Sequence, residues 1–132
     1  MGNGEETVKE LDIKVKDENG YESDVHIMVD ETTDRGEIKT SGGGASLTNL
    51  KKGADDKRIV GDTKKFFKKF IVTMSVEDGE EAPEVRVVAR DKKGAIWRND
   101  TYTLTHEDKD RMVAWIKGLK VDILPSEAGG VA

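Results

Sequence analysis

Two runs of strictly alternating apolar and polar residues, separated by a turn signal, constrain this chain more than any other feature. Leu11, Ile13 and Val15 interleave with Asp12, Lys14 and Lys16, and Val25, Ile27 and Val29 repeat the rhythm beyond Asp17-Glu-Asn-Gly20. A period of two belongs to a strand with one dry face. Because that period is so short, a slip of one residue turns every side chain over, and the loop length must respect the burial pattern. A two-residue Asn19-Gly20 loop pairs Ile13 with His26 and puts the apolar sets on opposite faces. A three-residue loop, residues 18–20, pairs Ile13 with Val25 and Leu11 with Ile27, with Gly20 in the left-handed bulge position. The three-residue loop is therefore expected.

Further along, residues 70–77 read as a strand rich in Ile, Val and Thr that ends at the acidic loop DGEEAPE. Residues 85–90 and 96–104 form a second hairpin across Asp-Lys-Lys-Gly. A helix follows: Thr105 with Asp108 resembles a capping box, and Met112, Trp115, Ile116 and Leu119 recur at helical spacing up to Gly118. LKVDIL adds a short strand before Pro125. Between the first hairpin and residue 70 the pattern weakens. Residues 37–40 suit an edge strand, residues 32–50 otherwise suggest a long mobile loop, and KKFFKKFI at 64–71 repeats every four residues. On a short basic helix capped by Asp62, that repeat turns Phe66, Phe67, Phe70 and Ile71 to the core and the lysines to water.

The fold expected is thus α+β, an antiparallel sheet or small barrel or sandwich of about 5–6 strands with a C-terminal helix and a short basic helix. The 132 residues fit one domain. It is expected over residues 8–124, with disordered ends at 1–7 and 125–132.

Charge is the most informative part of the composition. Residues 1–50 hold 5 Lys and Arg against 12 Asp and Glu, residues 51–70 hold 8 against 3, and residues 71–132 hold 9 against 12. A basic window in a chain of net charge -5 can still attract an anionic partner. Cysteine is absent, which excludes disulfides and thiolate chemistry. His26 on a strand and His106 in a helical first turn offer neither a catalytic triad nor a zinc site. The Asp30–Glu37 segment misplaces the glycine and the twelfth ligand of a calcium loop, and GGGASLTNLKKG lacks phosphate-loop spacing. No cofactor and no enzymatic activity are expected. The opening residues lack a signal-peptide core and no apolar run approaches a membrane span, so a cytoplasmic protein without a membrane partner is expected.

The stretch VRVVARDKKGAIWRNDTYTLTHEDKDRMVAWIKGL, residues 85–119, carries a basic hairpin with Arg-Asp-x-x-Gly at its turn and a Thr-initiated helix with Trp and Leu. It resembles the end of the positive-cofactor-four type of single-stranded-DNA-binding fold, over about a quarter of the chain, although its helix begins acidic. The resemblance implies contact with nucleic acid. From the charge of the basic window itself, Lys51, Lys52, Lys57, Arg58, Lys64, Lys65, Lys68 and Lys69 are the candidate phosphate contacts, with Trp97 and Arg98 as auxiliary contacts and Trp97 or Tyr102 offering a surface for an unpaired base. The function expected is a small binding module for single-stranded nucleic acid or another polyanion. The alternative is a structural or assembly subunit, virion-associated or part of a multi-protein complex, acting through strand edges and the 32–50 loop.

Overall fold

The computed structural model of the chain describes residues 7–124. The predicted disordered ends, 1–7 and 125–132, lie outside the described residues except for Thr7, whose carbonyl accepts from Glu31 N at 2.8 Å. In order come β1 (Val8–Lys16), β2 (Glu22–Asp30), β3 (Arg35–Thr40), β4 (Gly43–Lys52), β5 (Arg58–Lys65), β6 (Lys68–Asp78), β7 (Pro83–Asp91), β8 (Ile96–Thr103), α1 (His106–Lys117) and β9 (Asp122–Ile123). Among the described residues the protein is mostly β, with nine strands in one mixed sheet and one helix. This corrects the expected α+β class and the count of 5–6 strands.

The first hairpin adopts the register that burial demands. Leu11 faces Ile27 and Ile13 faces Val25. The turn is closed by Asp17 N donating to Tyr21 O and Gly20 N to Asp17 O, each at 3.0 Å, with Gly20 at φ +84°. DKKGA uses the same device: Asp91 N donates to Ala95 O and Gly94 N to Asp91 O, both at 3.0 Å, with Gly94 at φ +87°. In each turn an Asp side chain accepts two further backbone N–H groups, so the loop is held by its own residues.

β1 to β8 follow one another as antiparallel neighbours, and β8 returns to β1, so the sheet closes on itself. The closing seam is thin: β8 and β1 pair through Lys16 and Thr103. Beyond that pair α1 takes the place of a strand. Lys14 N donates to the Asp108 carboxylate (3.3 Å), and Arg111 donates to Asp12 O (3.1 Å), so side chains of the helix satisfy the backbone edge of β1. The helix then crosses the end of the barrel. Lys109 pairs with Asp78 at the end of β6, and Lys52 of β4 donates to Lys117 O (2.9 Å) and Leu119 O (2.7 Å) beyond it. Met112, Ile116 and Leu119 are buried against the inward side chains of the strands, including Val15, Val25, Ile27, Met74, Val76 and Val85. Each such side chain stabilises the fold by roughly 1.5–3 kcal/mol.

Three local expectations hold. Thr105 caps α1, its hydroxyl accepting from Asp108 N at 3.1 Å, and Gly118 ends the helix. The short terminal strand forms as β9, parallel to β4 at Lys51 and Lys52.

Two others are corrected. The expected mobile loop at 32–50 is largely β3 and β4, paired from Gly36–Leu47 to Thr40–Gly43. Ile38 and Leu47 are core residues there, and a Cβ on Gly36 would lie 2.3 Å from Met28 O, so that glycine is set by close strand packing. The expected basic helix at 62–69 is instead the β5–β6 hairpin, in which Lys64 faces Lys69 and Lys65 faces Lys68. The four-residue rhythm of KKFFKKFI is the mirror symmetry of a hairpin about its turn. The period-two run Phe70, Val72, Met74, Val76 decides the matter, since all four are buried on one face.

Candidate polyanion-binding surface

The β5–β6 and β7–β8 turns stand at the end of the barrel opposite α1. The β5–β6 turn consists of Phe66 and Phe67 alone, with φ of +53° and +64°. Positive φ at both central positions is the type I′ geometry that matches strand twist, and it strongly favours Asn-Gly. Phenylalanine pays a steric cost there that glycine avoids. Burial does not compensate: Phe66 is 79% exposed and Phe67 96%. The expectation that Phe66, Phe67 and Ile71 enter the core is therefore corrected, and Phe70 alone of the four does so.

Directly below the tip stand two like-charged cross-strand pairs. Such pairs are destabilising, and local opposite charge relieves them only in part. Lys69 reaches Asp62 at 3.2 Å, and Asp62 also accepts from Asn49 at 2.9 Å. Lys65 Nζ lies 5.3 Å from the Phe66 ring centre. Lys68 Nζ lies 4.8 Å from the ring centre of Trp97.

Trp97 owes its position to an irregularity in the sheet. Ala89 faces Arg98 and Arg90 faces Ile96, so Trp97 is the extra residue of a β-bulge. Its ring meets Phe70 edge-on at 5.3 Å, and its indole N–H donates to Asp91 at 3.0 Å. That bond, followed by those from Ala95 and Lys93, holds the Asp91 carboxyl below the ordinary carboxylate range. Arg98 points to the mouth of the barrel, where it pairs with Asp100; that carboxylate pushes its pKa up. Lys65, Lys68, Trp97 and Arg98 border an opening of about 580 Å³ whose walls include Ile38, Phe70 and Val87. On the outer side of the hairpin, Lys64, Lys68 and Lys69 share a second hollow with Lys92 and Lys93.

The ten candidate residues thus divide. Lys64, Lys65, Lys68, Lys69, Trp97 and Arg98 are brought together at one end. Lys51, Lys52, Lys57 and Arg58 lie at the other end of β4 and β5, about 20 Å away by strand rise. Lys52 is buried on the end of α1, and Lys57 and Arg58 line a hollow shared with Glu77 and Asp78. Tyr102 is buried and offers no stacking surface.

Sequence reasoning missed Phe66, Phe67, Lys92 and Lys93. Their signal lay in the flanks, since the alternation of 70–76 extends a strand up to Lys68. Comparison with protein-family models, with curated proteins and with solved structures finds no match to this chain.

Proposed function

We propose that the chain is a non-enzymatic binding module that docks on a polyanion through the end of the barrel bearing the β5–β6 hairpin. One observation carries this reading: Lys64, Lys65, Lys68 and Lys69 face one another in pairs across two adjacent strands. A fold gains nothing from that arrangement in isolation, whereas a row of phosphates or sulfates opposite it relieves the repulsion. Lys92 and Lys93 in the next turn widen the cationic surface. Single-stranded nucleic acid and heparin both present such a row of negative charges.

The test is titration of the protein with heparin, a single-stranded oligonucleotide and anionic lipid vesicles at low and rising salt. Binding should weaken steeply with salt. Replacing the four hairpin lysines by Ala should make the oligonucleotide slope shallower by about 3, at roughly 0.7 per phosphate contact. Lys51→Ala and Lys57→Ala should change it little. Failure to bind any of the three at low salt sinks the reading.

The assembly alternative keeps a strand edge, since among the described residues β8 meets β1 through Thr103 alone, while its long loop is replaced by paired strands. Residues 35–40 and 43–52 are paired strands of a closed sheet.

A further inference from the structure

We infer that the polyanion is the surface of an anionic lipid bilayer, and that Phe66 and Phe67 insert into it while the hairpin lysines hold the phosphate layer. The inference rests on the polyanion reading and names its partner. Its first support is order along the hairpin: the two rings lead, and the four lysines stand immediately behind them on both strands. A bilayer presents charge first and hydrocarbon deeper, so a leading apolar tip with flanking cations matches it layer for layer.

The second support is the state of the other aromatic. Trp97 is 56% exposed, but Lys68 already lies over its ring, Phe70 meets its edge and its N–H is on Asp91, so a base stacking there would compete with Lys68. The tip rings stand out convexly, without the flat aromatic platform on which successive bases stack.

The third is composition around the tip. Ile71 and Ile96, on the same two hairpins, are exposed, and residues 62–71 and 90–98 hold eight Lys and Arg against Asp62 and Asp91. Exposed apolar groups and cations are thus gathered at one end of a molecule whose net charge is -5. The left-handed backbone is the fourth: two bulky residues stand where Asn-Gly would fold more easily, as expected when the rings serve something outside the fold. No membrane span is needed for such attachment, so the lack of a long apolar run in the sequence does not oppose it.

The experiment compares the wild-type chain with Phe66→Asn/Phe67→Gly, which suits the turn while deleting both rings. Sedimentation with phosphatidylserine–phosphatidylcholine vesicles should show binding that pure phosphatidylcholine does not support. The double variant should bind about 100-fold more weakly, the order expected for losing two phenyl groups from an apolar environment, and should melt no lower than wild type. Emission of Phe67→Trp should shift to the blue on these vesicles and be quenched by brominated acyl chains.

Equal vesicle binding by the double variant overturns insertion and leaves the polyanion reading standing. Binding of a single-stranded oligonucleotide but not vesicles overturns the lipid assignment, and the tip then serves bases. Binding to neither, nor to heparin, removes the polyanion reading as well.

Discussion

At the scale of single residues, Phe66 and Phe67 set the fold against itself. Both occupy the left-handed region and both are exposed, so no burial offsets their backbone cost, and the contact described for Phe66 is the Lys65 ammonium over its ring. Each L-residue there costs on the order of 1 kcal/mol relative to the turn's preferred residues. Phe66→Asn/Phe67→Gly should therefore stabilise the protein by about 1–3 kcal/mol, read as a rise of several degrees in melting temperature. An unchanged or lower melting point would show that the rings support the fold. The two Asp-x-x-Gly turns are the opposite case: Gly20 and Gly94 sit where glycine is wanted, and both turns were legible from the residues alone. The Phe-Phe turn was not, because nothing in those two side chains announces a left-handed bend.

Among the elements, α1 does what a further strand beside the β1 edge would do. It follows β8 directly and covers the β1 edge with Asp108 and Arg111, whose own side chains meet at 2.9 Å. Asp108→Ala removes the acceptor for Lys14 N and the partner of Arg111 together. Amide exchange at Lys14 should speed up, and stability should fall by about 1–2 kcal/mol, the usual cost of lost hydrogen bonds to a charged group; unchanged exchange at Lys14 would mean that the seam is held otherwise. The helix itself, with its Thr105 cap and its Met112, Ile116 and Leu119 stripe, was readable from spacing. Its role at the seam was not, since Asp108 meets Lys14 across 94 residues of chain. β4 escaped notice, and β3 was read only as an edge strand at 37–40, for a related reason: Gly36, Gly43 and Gly44 read locally as flexibility, while the buried face is marked by Ile38, Leu47 and Leu50.

Considered as a whole, the molecule is a closed sheet with one end sealed and the other presenting charge. Lys52 ties the sealed end together, its buried ammonium reaching the carbonyls of Lys117 and Leu119 from β4. Lys52→Met keeps the aliphatic bulk but leaves those carbonyls without their donor. It should cost about 1–3 kcal/mol, and denaturant unfolding should show a lower midpoint with an unchanged slope. A variant as stable as wild type would mean that water replaces the ammonium. The same substitution should leave polyanion binding intact, because Lys52 lies at the opposite end from the hairpin lysines.

The amino-acid sequence determined the parts whose cause is local: the register of the first hairpin, both Asp-x-x-Gly turns, the helix with its cap, and the excess of cations at 51–70. These follow from side-chain period, turn chemistry and charge, which neighbours in the chain can specify. Only the tertiary structure decided that the sheet closes, that strand extends through most of 32–50 beyond the edge strand expected at 37–40, and that the basic window splits between two ends of the barrel with Lys52 buried. It also turned Phe66 and Phe67 from expected core residues into an exposed tip. Those outcomes depend on pairing between distant strands, where the alternation of 70–76 outweighs the helical rhythm of 64–71, and no local window carries that comparison.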